Sequence, residues 1–250
     1  MRMPVLFAGH GSPMNAIEDN QWSRGFAALA KLTEKPRAIL CISAHWYVPG
    51  TFVTSEAAPR TIHDFGGFPE QLFEVRYPAP GSAELAARVS QLTGATPRTD
   101  WGLDHGSWSV LLHAFPQADI PVVQLSIDHR LSPEEHVAIG RKLAPLRDEG
   151  VLILGSGNVT HNLRHAFTRR DLPPWAMSFD KAAAEALQRK DTSALAAMLD
   201  TDDGHRSHPT PDHYLPLLYA AGAARAEDQV TFPAEGFDLG SLSMRSVLFK

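Results

Sequence analysis

The stretch Val151-Leu152-Ile153-Leu154-Gly155-Ser156-Gly157-Asn158-Val159-Thr160-His161-Asn162 decides how this chain is read. It opens on four apolar residues in a row. A run without polar alternation fits a strand buried on both faces, as in a parallel sheet covered by helices. Small residues follow, then a histidine. Glycine and serine at a strand end let backbone or a bound group approach closely.

Two other stretches repeat this order of apolar strand, small residues and histidine. One is Val5-Leu6-Phe7-Ala8-Gly9-His10-Gly11-Ser12-Pro13. The other is Ile39-Leu40-Cys41-Ile42-Ser43-Ala44-His45-Trp46. In open α/β sheets the carboxyl ends of parallel strands form the ligand crevice. Histidines distant in sequence would converge there. A fourth candidate, His213, lies in Thr210-Pro211-Asp212-His213-Tyr214, within the first turn of an expected helix.

The wider pattern alternates short β-rich runs with helical ones. Strands are expected at 5–8, 38–43, 51–54, 121–127, 151–154 and 243–249. Helices are expected at 22–32, 83–92, 107–115, 133–147, 179–189 and 211–221. Ser132-Pro133-Glu134-Glu135 supplies a cap, a proline in the first turn and an acidic start, and Thr210-Pro211-Asp212 repeats that logic. The expectation is one α/β domain over 1–250, with a central mixed, mostly parallel sheet between helices. The glycine-, proline- and aromatic-rich stretch 59–82 reads as a binding loop or lid. The stretch 200–209 reads as a polar loop.

Composition narrows the function classes. Apolar residues are 44% of the chain and charged residues 20%, enough for a substantial core. The formal net charge is −5, which argues against a nucleic-acid binder or a polybasic membrane anchor. No apolar run is long enough to span a bilayer. The single cysteine, Cys41, sits in an apolar run and reads as an inert core residue. Scarce cysteine and the lack of a signal-peptide pattern point to the cytoplasm.

Neutral imidazole is the commonest protein ligand for zinc, iron, copper and nickel. A catalytic site needs about three protein ligands and open positions. No HExxH or CxxC occurs, so the metal reading rests on placement. Gly155-Ser156-Gly157 completes neither a nucleophile elbow nor a dinucleotide fingerprint. The segment Trp101-Gly102-Leu103-Asp104-His105-Gly106-Ser107-Trp108 sets a carboxylate and an imidazole among glycines and aromatics, as acid–base chemistry on an apolar substrate requires. It reads equally as a helix start capped by Asp104 or Ser107. His63 and Asp64 reach the site from the long loop, and Trp46, Phe65, Phe68 and Trp108 either stack on a substrate ring or pack in the core. His113, His129, His136, His165, His205 and His208 are assigned to the surface or to local structure.

At these residues the chain resembles the 4,5-DOPA extradiol dioxygenase family, part of the LigB-type (class III) extradiol superfamily. The resemblance runs through GHGSPMN at 9–15, SAHW at 43–46, TIHDFGGFP at 61–69, YPAPGS at 77–82 and LDHGSW at 103–108. It continues through VVQLSID at 122–128, GSGNVTHNLR at 155–164, PTPDHYLPLLY at 209–219 and GSLSMRS at 240–246. It implies one divalent metal, Zn(2+) or Fe(2+), bound by His10, His45 and His213. His161 is then either a fourth ligand or an acid/base, and His105 stands behind the ligands or acts in catalysis. It implies a catechol, DOPA in the family, opened with O2 to a muconic-semialdehyde-type product. The rival readings are a zinc-dependent hydrolase on the same scaffold and a non-catalytic metal- or ligand-binding protein.

Overall fold

The apolar run at 151–154 lies in the middle of the sheet. In the computed structural model, which describes residues 2–169 and 171–250, it belongs to a strand, Val151–Gly157, whose every residue is buried. The strands are β1 (Val5–Gly9), β2 (Ala38–Val48), β3 (Phe52–Thr54), β4 (Thr96–Arg98), β5 (Val122–Asp128), β6 (Val151–Gly157), β7 (Val230–Ala234), β8 (Phe237–Asp238), β9 (Leu242–Ser243) and β10 (Ser246–Phe249). The helices are α1 (Gln21–Leu29), α2 (Glu70–Glu74), α3 (Ala83–Thr93), α4 (His105–Ala114), α5 (Pro133–Leu143), α6 (Leu163–Thr168), α7 (Pro174–Gln188), α8 (Thr192–Ala197), α9 (Asp202–Ser207) and α10 (Leu215–Ala223).

Eight strands form one sheet in the order β4-β3-β5-β2-β6-β1-β10-β7, and β8 and β9 form a separate ribbon. The four central strands, β5, β2, β6 and β1, run parallel. Antiparallel pairing sets in on either side of them, at β3 and at β10 with β7. Strand alternation divides the core. Val5 and Phe7 of β1 face one layer with α5, α7 and α10, while Leu6 and Ala8 face the other with α1 and α4. Each fully buried Leu, Ile or Phe in these layers stabilises the fold by about 1.5–3 kcal/mol. Cys41 is one of these buried residues, a free thiol in the second layer.

The fold is thus the expected single α/β domain, with local departures. Strand β2 continues past Ser43 through His45 to Val48. Its pairing with β5 is irregular there: Ser43–Trp46 stand opposite the single residue Ser126. Such a bulge re-aims side chains next to a site. The helix expected at 211–221 is broken. Pro211–His213 form a 3-10 turn, and α10 starts afresh at Leu215, with Pro216 in its first turn, the one place in a helix where proline's missing N–H costs nothing. The stretch 200–209 carries α9, capped by the Thr201 hydroxyl accepting from Gly204 N at 3.0 Å. The long loop at 59–82 contains α2. The Ser132 cap is present as a full capping box, with Glu135 Oε2 accepting from Ser132 N at 2.7 Å.

Candidate metal centre

Five histidines meet at the carboxyl ends of the central strands. His10 follows β1, and its N–H donates to Gly157 O at the end of β6 (2.9 Å). His45 projects from the bulge of β2. His213 ends the 3-10 turn, which packs directly on β6: a Cβ on Gly157 would lie 2.1 Å from His213 O, so only glycine admits this approach. His161 lies four residues beyond β6, held by its N–H to Ser207 O at 3.0 Å. His105 is the first residue of α4, whose N-cap is Asp104.

The ring centroids of His10, His45 and His213 form a nearly equilateral triangle with sides of 5.1, 5.2 and 5.0 Å. Three imidazoles aimed at one tetrahedral ion, with metal–nitrogen bonds of about 2 Å, place their centroids about 5 Å apart. By nitrogen positions, the set that gathers among the described residues is His10, His45 and His105, whose ring nitrogens fall within 4.8 Å of one another and could hold an ion. The His105 ring, however, is 3.8 Å from that of His45 and 5.7 Å from that of His10. It lies against a neighbour's flank rather than completing an even triangle.

Hydrogen bonds fix which nitrogen each ring offers. The Ser156 hydroxyl donates to Gly106 O, so it accepts from His10 Nδ1 at 3.0 Å. His213 Nδ1 donates to the Asp212 carboxylate. His105 Nδ1 donates to Asp64 Oδ1 at 3.0 Å, and His45 Nδ1 faces Asp64 Oδ2 at 3.3 Å. Each ring therefore keeps a bare Nε2. This is how metal-binding histidines are usually oriented. The Nε2 atoms of His10 and His45 stand 3.2 Å apart, so their lone pairs face each other. A cation shared between them relieves that repulsion, and tetrahedral ligand nitrogens lie about 3.4 Å apart. The donor set fits a divalent metal. The ring of His161 differs: it makes no hydrogen bond with the described residues, and it stacks on His213 at 3.4 Å.

Electrostatics agree. Burial, then the neighbouring histidines, push His10 and His45 well below the usual imidazole range. Burial also lowers His161, with His213 adding to it. His213 is lowered by burial although Asp212 opposes the shift. These rings are neutral at pH 7, as ligation requires. Burial, the largest single influence, would raise Asp212, but the hydrogen bond from His213, its charge, the Thr210 hydroxyl and His161 together outweigh it and bring the carboxyl to about 2.

The five histidines line a cavity of about 500 Å³. Phe65, Gly66, Gly67 and Phe68 from the long loop form one side. Leu163 and Phe167 of α6 line it as well, with Leu239 and Leu242. Trp46 stands outside it, stacked on Trp101 with centroids 5.4 Å apart. His63 is also outside, bonded to Val75 O at 3.0 Å. Trp108 is fully buried beside Phe65 and donates to Ile62 O at 2.8 Å. Asp64 lines the cavity, with its oxygens turned to His45 and His105. That role was hidden in the sequence, where 41 residues separate Asp64 from His105. His136 and His208, assigned to the surface or to local structure, are buried: His136 Nδ1 pairs with the Tyr219 hydroxyl at 2.9 Å, and His208 Nε2 with Val159 O at 2.8 Å.

Comparison with known proteins turns this geometry into a family assignment. The model of the "catalytic LigB subunit of aromatic ring-opening dioxygenase" matches residues 4–249. The chain belongs to the LigB family. It is 49% identical to 4,5-DOPA dioxygenase extradiol of Escherichia coli K12, covering 98% of this chain and 94% of that one. It is 39% identical to the Beta vulgaris protein of the same name, covering 98% and 96%. The crystal structure of an uncharacterized protein from Escherichia coli K12 superposes with a TM-score of 0.87 at 44% identity over the whole of both chains. This LigB chain is a ring-cleavage dioxygenase of the extradiol class. Among its described residues, no helix is long and apolar enough to cross a membrane.

Proposed function

We propose that this enzyme opens the ring of a catechol beside its two hydroxyls, with O2 as co-substrate, at one divalent metal held by His10, His45 and His213. The observation that carries the ligand set is the even centroid triangle of those three rings inside the cavity. A bound Fe(II) supplies Lewis acidity toward the catechol oxygens and redox chemistry toward O2, which Zn(II) in the same nitrogen shell lacks.

The chain's own residues orient the ring and move protons. Phe65 and Phe68 offer aromatic faces to the substrate ring. His105 keeps its Nδ1 proton on Asp64, so Nε2 is free to take a catechol hydroxyl proton. His161, neutral and without a ring hydrogen bond among the described residues, is the second proton carrier: it takes the proton of the other catechol hydroxyl and, so charged, returns it as the acid when the ring opens. The product is of the muconic-semialdehyde type, and catechols such as DOPA, named in the relatives, are the substrate class. We place the enzyme in a reducing, cytoplasmic setting, where the buried free thiol of Cys41 and Fe(II) both persist.

The test is to strip the metal, load Fe(II) without oxygen, add L-DOPA and then air. O2 uptake with a yellow ring-opened product, absent from a zinc-loaded control, is expected. No uptake across a catechol panel, with ester or amide turnover by the zinc form, would overturn the reading in favour of a hydrolase.

A further inference from the structure

The ribbon of β8 and β9 turns through Leu239, Gly240 and Ser241, with Asp238 paired to Leu242 on either side of them. Two successive residues of that turn have positive φ, Leu239 at 46° and Gly240 at 78°. Glycine takes this conformation freely, and asparagine and aspartate tolerate it. Leucine does not: its Cβ crowds the following carbonyl oxygen, and the backbone is strained.

Among the described residues, three that are not glycine have positive φ. Ala118, at 49°, packs in an apolar layer of the core. Lys190, at 53°, is tied by its ammonium to Asp228 O at 2.7 Å. Leu239 has neither account. It is half-buried, and it packs on neither apolar layer of the described core. What it does border is the cavity, together with the five histidines, Phe65 and Phe68. Strained conformations of this kind gather at ligand-binding walls, where the side chain they aim is used.

We propose that Leu239 is a substrate-contact residue: its side chain packs on the bound catechol, and the turn keeps a strained leucine for that contact where asparagine or glycine would fit the backbone better. The proposal rests on the ring-cleavage reading above and adds to it a residue that holds the substrate. It gives stability and function opposite signs. Relief of the strain should raise Tm, and loss of the apolar contact should weaken substrate binding. A leucine serving the fold alone would lower Tm when replaced, and one without a role would leave binding unchanged.

The experiment compares the parent protein with Leu239→Asn and Leu239→Met. It reads Tm without ligand, calorimetric binding of catechol and of L-DOPA to zinc-loaded protein, and kcat and KM of the iron-loaded enzyme. Leu239→Asn should raise Tm by about 2–4 °C. It should weaken both ligands about ten-fold and raise KM to match, with kcat kept within about two-fold. Leu239→Met, apolar and of similar volume, should keep the parent's affinity and Tm. Unchanged affinity in Leu239→Asn overturns the proposal, and so does a lowered Tm, or a Leu239→Met protein that binds as weakly as Leu239→Asn. Those outcomes leave ring cleavage by the parent standing. Weaker binding with a raised Tm, in a protein that opens no catechol, supports the contact and overturns the ring-cleavage reading instead; a parent that binds neither ligand overturns both.

Discussion

His161 lies face to face on His213, with ring centroids 3.4 Å apart and planes 3° apart. Rings that share one tetrahedral ion stand about 5 Å apart, as His213 does from both His10 and His45. The stack therefore sets His161 beside the ligand shell. His213 also has a carboxylate on its Nδ1, the anchor expected of a ligand, and His161 has none among the described residues.

This separates two variants. His161→Ala should keep near-stoichiometric metal and lose about 10²- to 10⁴-fold in kcat, the range for a lost acid/base. His213→Ala should lose the metal itself. Metal content by elemental analysis, read beside kcat, checks both; metal loss in the His161 variant would make it a ligand.

Asp64 is the second hinge of the site. Its Oδ1 accepts from the His105 backbone N–H and from His105 Nδ1, both at 3.0 Å, while Oδ2 faces His45 Nδ1 at 3.3 Å. Asp64→Asn keeps one acceptor oxygen but turns an NH2 toward the other ring. Partners behind metal ligands are worth about 10- to 100-fold in affinity. The variant should bind metal that much more weakly and also lose kcat at saturating metal, because both His45 and His105 are disturbed. Titration with a competing chelator gives the first number, and kcat at high metal gives the second.

The central strands were legible because burial on both faces leaves an unbroken apolar run, and the strand-end histidines were legible because small residues precede them. What escaped was written in other terms. Strand β4 is Thr96-Pro97-Arg98, and β7 alternates half-buried and exposed residues; edge strands need no apolar pattern and tolerate proline. The bulge in β2 cannot be read from its residues, yet it is where Trp46 turns away from the cavity toward Trp101 while His45 lines it. The tie from Asp64 to His45 and His105 exists only after folding. So does the orientation of His63, whose ring serves Val75 O.

Acid should destabilise the fold through two histidines distinct from the five at the metal centre. Burial lowers both His136 and His208 to about 4 from an ordinary value of 6.5. The unfolded chain therefore binds more protons between those values, and stability rises with pH across that window. Their contribution is complete above pH 6.5 and is lost as pH falls toward 4. At about 1.4 kcal/mol per unit each histidine contributes a few kcal/mol. The lowered site histidines act with the same sign in metal-free protein. Urea midpoints measured with chelator at pH 7, 6, 5 and 4 should fall steadily. His208→Gln should start lower and fall less steeply; an unchanged slope would remove His208 from the account.

Gly106, in the first turn of α4, is where helix propensity and site packing oppose each other. Alanine is favoured over glycine within a helix by about 1 kcal/mol. A Cβ at Gly106, however, would lie 2.4 Å from Ser43 Oγ, 2.8 Å from His45 Cδ2 and 3.3 Å from His10 Cε1. Overpacking costs about 1–3 kcal/mol, and here two of the three crowded atoms belong to proposed ligands, the third to Ser43. The loss should exceed the gain, and it should fall on the site more than on the fold. Gly106→Ala is expected to fold with a modestly lowered Tm and to lose most of its metal affinity and activity. Gly25→Ala is the control: it lies within α1 with nothing within 4 Å of the new Cβ. That change should raise stability by up to about 1 kcal/mol and leave metal binding unchanged. Thermal melts and metal titrations on the two variants decide the matter. Equal behaviour of Gly106→Ala and Gly25→Ala would mean that α4 can retreat from His45 without cost, and that the site is less rigid than its geometry implies.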